Sequence, residues 1–392
     1  MSLRIFDEIN RTDNGPSLYA EPEFRYLNRS ARAEADRVRQ VLEEWLSHYP
    51  QSEQAELQAR LRSEDDPQHR SAFFELCLHE LLLRLGCRVE VHPTVGECTA
   101  RCPDFLVAAP NSDQFYLEAV LATDESEEEA AARARENVVY DCLNRLNSPD
   151  FFIGMRLRGH PATPPPARKI RALLERELAK LDSAQVTRDY ETGGLDALPH
   201  WLFEHDGWRI DFFPIPKTPQ ARGKPDVRPI GLHAPAGRWL NLGATIRDAL
   251  LKKMGRYGDL GLPYVVAVNI LAISVDEDDL MDALFGQEQY LISVAEDGSR
   301  EVRPSRAPDG AWISKSGPRY TGVSAVLAVA RLSPWSILRA ATRLYHNPWA
   351  QKPYASVLTR LPQGIPCGNQ IRRQEGERLA DILDLPLGWP ED

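Results

Sequence analysis

Two short apolar segments, each with one acidic residue, constrain this chain more than any other feature. Asp104 stands at the start of the run Phe105 to Val107, and Glu118 stands in the middle of Phe115 to Leu121. Such runs predict strands, and a hairpin between them would bring both acids to one end of a sheet. Burying an ionised carboxylate is costly unless an opposite charge neutralises it. Two converging carboxylates are typical of a site for a hard divalent cation, which takes oxygen ligands.

The segments around this pair of acids predict alternating helices and strands. Helical periodicity runs through 30–48 and 52–62, and the apolar stretch 71–85 predicts a buried helix that ends at Gly86. Strands are predicted over 87–95, 104–108 and 115–122, followed by a helix over 127–146 and a strand over 151–157. The order near the acids is therefore helix, three strands, helix and strand.

More helices and strands follow a proline-rich break at 160–167. Helices are predicted over 169–181, 245–257 and 278–285, and strands over 208–215, 227–233, 264–273 and 323–330. We expect an α/β protein with an N-terminal extended and helical segment (1–69), a core (70–160), a C-terminal α/β half (168–362) and a tail (363–392). The C-terminal half either extends the same sheet or forms a second lobe.

Composition and missing motifs disfavour several classes of protein. No apolar run is long enough to span a bilayer, and the first ten residues lack the apolar stretch of a secretory signal, so we expect a cytoplasmic protein. The six cysteines are scattered, and Cys98 with Cys102 lacks the second ligand pair of a zinc finger. No phosphate-binding loop, dinucleotide fingerprint or serine-hydrolase elbow occurs. The net charge of −10 weakens the case for nucleic acid without excluding it, since arginine dominates the basic residues.

The order of elements and acids resembles the PD-(D/E)XK, or restriction-endonuclease-like, nuclease superfamily. The resemblance covers residues 70–158 and places the family's motif acids at Glu75 on the first helix, at Asp104 after Pro103, and at Glu118. It implies a restriction-endonuclease-like core, in which a mixed central sheet is flanked by helices. It also implies that the three acids bind Mg²⁺ or Mn²⁺ in a hydrolase that cuts DNA or RNA, with bacterial defence as a setting.

The family's motif lysine, two residues beyond the glutamate, is replaced here by Val120, and no lysine occurs before residue 169. Lys252 and Lys253 precede the apolar strand at 264–273, and we expect Lys253 to supply the displaced catalytic cation. Arg133 and Arg135, on the nearer predicted helix, are the other candidates. The alternative function is a catalytically inactive nuclease-like module that binds nucleic acid or a partner protein. A homodimer is a further possibility, and no membrane partner is expected.

Each acid also has an ordinary structural explanation, which the sequence leaves open. Asp104 follows a proline, where an Asx turn is common. Glu118 would face solvent if its strand lay at the edge of the sheet. Glu75 would be a buried acid that merely pairs with Arg70 or Arg84. The histidines near these acids are expected to be packed or surface residues rather than ligands.

Overall fold

The computed structural model describes residues 3–94, 102–123, 125–224, 228–234, 242–272, 276–294, 299–368 and 370–391. The chain forms two compact units. Unit 1 comprises Met1–Pro16, Pro22–Asp124 and Leu240–Asp392, and unit 2 comprises Ser17–Glu21 and Glu125–Trp239. Most of unit 2 is therefore an insertion between two parts of unit 1.

The α-helices of the described residues are α1 (Glu23–Arg29), α2 (Ala33–His48), α3 (Gln54–Leu61), α4 (Asp66–Arg84), α5 (Glu127–Leu143), α6 (Ala167–Leu178), α7 (Ser183–Gly193), α8 (Leu242–Met254), α9 (Glu277–Phe285) and α10 (Leu379–Ile382). The strands are β1 (Arg88–Val91), β2 (Phe105–Ala108), β3 (Gln114–Ala122), β4 (Phe151–Arg158), β5 (Trp201–His205), β6 (Trp208–Pro216), β7 (Ile230–Ala234), β8 (Tyr264–Ile270), β9 (Glu288–Val294), β10 (Arg300–Arg306), β11 (Ile313–Ser314), β12 (Gly317–Pro318), β13 (Ala325–Ala330), β14 (Ala341–His346), β15 (Gln363–Cys367) and β16 (Gln370–Gln374).

Within the described part of unit 1, eight strands form one mixed sheet in the order β1-β2-β3-β8-β13-β14-β15-β16. β2 is antiparallel to both β1 and β3, whereas β8 runs parallel to β3 and β13 runs parallel to β8. A parallel neighbour has to be reached by a crossover connection. Here the connection from β3 to β8 contains the inserted part of unit 2 and then α8.

Helices cover both faces of this sheet, because the side chains of its central strands alternate between two apolar clusters. Val265 and Ala267 of β8 belong to the cluster that contains apolar residues of α2, α3 and α4. Val266 and Val268 belong to the cluster that contains residues of α8 and α9. Every residue of β8 is buried, as the continuous apolar run predicts for a strand enclosed on both faces. The prediction of an α/β protein with a mixed sheet flanked by helices is confirmed.

α4 is the helix that the sequence predicts as buried, and its ends follow common capping preferences. Pro67 lies in its first turn, where a missing N–H costs nothing. Gly86 follows the helix with a φ of +80°, a conformation that glycine adopts without strain. Glu75 and Glu80 are 4% and 1% exposed within this helix. Each of them is held by an arginine, so that neither charge is buried alone.

Within the described part of unit 2, four strands form a sheet in the order β5-β6-β4-β7. β6 is antiparallel to β5 and β4, and β7 runs parallel to β4. One face packs against α5, α6 and α7 around Ile153, Leu174 and Trp208. A Cβ atom at Gly154 would overlap the ring of Phe213 on the neighbouring strand. The close approach of that ring to β4 therefore requires glycine.

The structure divides the chain differently from the predicted continuous core over 70–160. The strand predicted at 151–157 exists as β4, but it belongs to the sheet of unit 2. The helix and strand that follow β3 in unit 1 are α8 and β8, from the half predicted to begin at 168. Part of that half therefore extends the same sheet. The predicted tail at 363–392 also joins it, through β15 and β16.

Several elements had no prediction from the sequence, among them α7, β5, β14 and the hairpin of β9 and β10. β9 and β10 carry charged and polar residues at many positions and are largely exposed. β10 therefore gives little periodic signal, whereas the alternation of Tyr290, Ile292 and Val294 in β9 is a strand pattern that the sequence reasoning did not use. α1, which begins at Glu23 in the N-terminal segment, also had no predicted counterpart.

Candidate active site

The antiparallel pairing of β2 with β3 makes Asp104 and Glu118 neighbours. Phe105 pairs with Leu117 in this ladder, so the same register sets Asp104, the residue before β2, opposite Glu118. Residues opposite each other share a face of the sheet, with Cβ atoms about 4.5–5.5 Å apart. Glu118 points to the face covered by α8 and α9, because Val120, two residues along β3, belongs to that cluster. Val120 itself is packed in the cluster and offers no charge.

Glu118 is neutralised by side chains of the chain itself. Its side chain is 1% exposed. Lys253 Nζ lies 2.6 Å from Glu118 Oε1, and Arg256 Nη1 lies 3.2 Å from the same oxygen. The Tyr257 hydroxyl donates to Oε2 at 2.9 Å. Two cations and a hydroxyl satisfy the buried carboxylate, and its strand lies between β2 and β8. The alternative in which Glu118 faces solvent on an edge strand is therefore wrong.

α8 places the Lys253 side chain against Glu118, which lies 135 positions earlier in the sequence. Lys253 lies in the last turn of the helix, where a cation also interacts favourably with the helix dipole. The helix is as long as the predicted 245–257 but lies three residues earlier, and it ends at Met254. The backbone then continues in a turn, in which the N–H of Arg256 donates to the carbonyl of Lys253 at 3.0 Å. Lys252, the other candidate cation, is exposed to solvent.

Arg256 and Tyr257 belong to the site, although the sequence reasoning did not select them. A signal was present, because positions 253, 256 and 257 share one face of the helix predicted over 245–257, although in the structure that helix ends at Met254 and a turn carries the last two. The Tyr257 hydroxyl also lies 2.6 Å from the carbonyl oxygen of Cys102, so that its single proton is shared between this carbonyl and Glu118 Oε2. Tyr257 thus connects Glu118 to the segment that leads into β2 and fixes the position of the carboxylate.

Asp104 is held by the backbone of β3 and is poorly neutralised. Its Oδ2 accepts a hydrogen bond from the N–H of Ala119 at 2.6 Å. Burial, and then the negative charge of Glu118, raise the pKa of Asp104 to about 7. The Asx-turn explanation is not needed, because the side chain bonds across the strand pair rather than to its own turn. Among the residues that the structure describes, Asp104 therefore has no ion pair like those of Glu118.

Tyr264 adds a buried polar atom beside these acids. Its ring packs edge-on against Tyr257 at 5.7 Å between centroids. Its hydroxyl is buried and has no hydrogen-bond partner among the described residues. Burial, and then Glu118, raise the pKa of this hydroxyl well above its ordinary value. A buried donor without a partner costs about 1–3 kcal/mol, so a polar group at this position would be stabilising.

Glu75, the third acid of the predicted set, has partners of its own. Tyr49 donates to Glu75 Oε1 at 2.6 Å, and Arg60 Nη1 lies 2.8 Å from Oε2. Neither of the expected partners contacts it, because Arg70 bonds to Glu23 and Arg84 bonds to Glu80. Glu75 is nevertheless close enough to raise the pKa of Asp104 as a minor cause. The structure thus places Glu75 next to the site, but paired.

The alternative cations, Arg133 and Arg135, lie on α5 in unit 2. Arg133 Nη2 lies 2.6 Å from Glu125, and Arg135 Nε donates to the carbonyl of Pro161 at 2.8 Å. Both arginines are therefore bonded within unit 2. Of the cations proposed from the sequence, Lys253 is the one that the structure brings to Glu118.

Asp104 and Glu118 supply carboxylate oxygens, which are the ligands that a hard divalent cation binds. They provide two protein carboxylates rather than the three that were predicted. Within the part of the chain that the structure describes, no group of three or more His, Cys, Asp or Glu side chains is arranged to hold a metal ion. Burial and the neighbouring charge of Glu118 raise the pKa of Asp104, and a cation bound between the two carboxylates would offset both effects. Ordinary roles account for the nearby histidines; His79, for example, is buried between aromatic rings.

No family model, no curated protein and no solved structure matches this chain. Among the described residues, no helix combines the length and apolar character that crossing a membrane requires. Five of the cysteines are free thiols, whereas Cys98, considered with Cys102 as a zinc ligand, lies outside the described residues.

Proposed function

We propose that unit 1 is a metal-dependent phosphodiesterase of the PD-(D/E)XK type that acts on DNA or RNA. The observation that carries the proposal is the 2.6 Å contact between Lys253 and Glu118, opposite Asp104. The order α4, β1, β2, β3, α8 and β8 within unit 1 supports it, because the resemblance implies the order helix, three strands, helix and strand. In this proposal Lys253 takes the place of the motif lysine that is missing at Val120.

Asp104 and Glu118 would hold a divalent cation between them. When bound, such a cation lowers the pKa of water and stabilises charge on a phosphoryl oxygen. The residues of the chain prepare the site for this chemistry. Asp104 has to lose its proton, Tyr257 keeps Glu118 in place, and Lys253 presents a positive charge where negative charge develops in the transition state. Arg256 is 37% exposed and can contact a phosphate through its guanidinium.

The test is a cleavage assay with the full chain on single- and double-stranded DNA and RNA, with Mg²⁺, with Mn²⁺ and with chelator. We expect metal-dependent cleavage of at least one substrate. Asp104→Asn and Lys253→Met should each lower turnover about a hundredfold or more, as loss of a transition-state contact does. Lys252→Met is the matched control and should retain full activity. Absence of cleavage with every substrate and metal would refute the proposal, and so would full activity of Lys253→Met.

A second candidate function is a catalytically inactive nuclease-like module that binds nucleic acid or a partner protein. The observation that favours it is the saturation of Glu118 by three donors of the chain itself. Such a site is stable without a metal ion. Nucleic-acid binding measured by fluorescence anisotropy distinguishes the two candidates. Binding that is equal in chelator and in Mg²⁺, without cleavage, would favour the inactive module.

A further inference from the structure

The hairpin of β9 and β10 exposes an apolar face. Of the strands that the structure describes, these two pair with each other and with no third. Ile292 pairs with Val302, and Val294 pairs with Arg300, so these four residues lie on one face together with Tyr290. Tyr290, Ile292, Val294 and Val302 are 63%, 63%, 64% and 56% exposed. Large apolar side chains are thus concentrated on one face of an exposed two-stranded ribbon.

The opposite face of the hairpin is mostly polar, with Leu291 as its large apolar residue. It carries Gln289, Ser293, Glu301, Arg303 and Ser305. An antiparallel sheet with one apolar and one polar face normally packs the apolar face against something. A two-stranded hairpin alone is marginally stable in water. A contiguous exposed apolar patch of this kind marks an interaction site.

Charges at the two ends of the apolar face indicate which partner fits. Glu288 lies at the base of the hairpin and Arg300 lies at the far end of the ribbon, and both are exposed. Among the described residues, the Glu288 carboxylate accepts one long hydrogen bond, from Tyr290 at 3.4 Å. Arg306 pairs with Glu288 on the same face, but its guanidinium is already bonded to Asp282 and to the carbonyl of Gly286. A second hairpin laid across the first in the opposite direction would bring Arg300 of each copy close to Glu288 of the other. The same surface then serves both copies, as a two-fold interface requires.

We propose that the apolar face of this hairpin joins two copies of the chain about a two-fold axis. The inference does not depend on the proposed nuclease activity. Strands of seven residues give a face roughly 24 Å long. A ribbon two strands wide offers much less than the roughly 800 Å² per subunit that a standard stable interface buries. The dimer is therefore weak, and the fraction of chains in dimers rises with protein concentration.

The experiment is sedimentation velocity of the full chain from low to high micromolar concentration, with two neighbouring lysine substitutions. Ile292→Lys places a charge on the apolar face, whereas Leu291→Lys places the same charge on the opposite face at a site that is 53% exposed. We expect the wild type to dimerise as its concentration rises, Ile292→Lys to weaken dimerisation at least tenfold, and Leu291→Lys to leave it unchanged. Because both positions are exposed, circular dichroism and melting temperature should show both variants folded.

Charge reversal tests the arrangement of the two hairpins. Glu288→Arg and Arg300→Glu should each weaken dimerisation, and the double variant should restore it. A wild type that stays monomeric at every concentration would overturn the proposal. Equal effects of Ile292→Lys and Leu291→Lys would overturn it as well, because the interface would then not involve the apolar face. A double variant that stays as weak as the single ones would overturn the pairing of Glu288 with Arg300.

Discussion

Replacing Lys253 by methionine tests the contact on which the candidate site depends. The substitution keeps the aliphatic stem but removes the ammonium that lies 2.6 Å from Glu118 Oε1. Removing one partner from a buried ion pair costs about 3–5 kcal/mol when the other charge is left alone. Here Arg256 and Tyr257 still bond to Glu118, and the Lys253 side chain is 28% exposed, so that water can reach the gap. We therefore expect unit 1 to lose about 2 kcal/mol of unfolding free energy.

A double-mutant cycle isolates this contact from other effects of the substitution. Glu118→Gln removes the buried charge while a side-chain oxygen remains for Tyr257. In the Glu118→Gln background, Lys253→Met should cost less than about 0.5 kcal/mol, because the lysine then has no charge to neutralise. The measurement is urea unfolding followed by circular dichroism, compared at the transition of unit 1. Lys252→Met is the control for loss of a lysine and should change the free energy by less than about 0.5 kcal/mol.

The reasoning would be refuted if Lys253→Met were as stable as the wild type. It would also be refuted if the cost of Lys253→Met were the same with and without Glu118→Gln, since the two side chains would then not interact.

Three further predictions concern the acids of the site. Folding raises the pKa of Asp104 from 3.8 to about 7, so the protonated carboxyl contributes to stability at low pH and this contribution is lost as the pH rises through about 7. Between pH 5 and pH 8, the melting temperature should therefore fall less for Asp104→Asn than for the wild type. Mg²⁺ or Mn²⁺ should raise the melting temperature more at pH 8 than at pH 5, since binding requires Asp104 to be deprotonated, and Asp104→Asn should abolish the shift. Glu75→Gln should lower the unfolding free energy by about 1–3 kcal/mol, because Arg60 loses its buried partner, yet retain most of the metal-induced shift, as thermal unfolding with and without metal will show.

Local patterns in the sequence predicted much of what surrounds the site. The apolar runs at Phe105 to Val107 and Phe115 to Leu121 form β2 and β3. A short hairpin has only one simple way to pair its strands, so the neighbouring positions of Asp104 and Glu118 follow from the sequence. The helical periodicity before Lys253 predicted α8, although its end was placed three residues too late. These features are local, because each depends on residues that are close in the chain.

Only the tertiary structure decided which strand lies beside β3. β4 and β8 are both apolar runs that follow a helix, and β4 comes first in the chain. The fold nevertheless places β8 next to β3 and assigns β4 to unit 2. Propensity and periodicity describe a strand but not its distant partner, which is selected by the packing of whole faces.

The partners of the acids were decided in the same way. The sequence determined that Glu118 would be costly to bury and that Val120 could not neutralise it. It did not determine that Lys253, Arg256 and Tyr257 would do so, because their contacts span 135 to 139 positions. The sequence offers Arg70 and Arg84, on the same helix α4, as ion-pair partners for Glu75. In the folded chain Glu75 pairs instead with Arg60 of α3. Ion pairs between elements depend on how helices dock on the sheet, and that docking is fixed by the two apolar clusters rather than by the charges themselves.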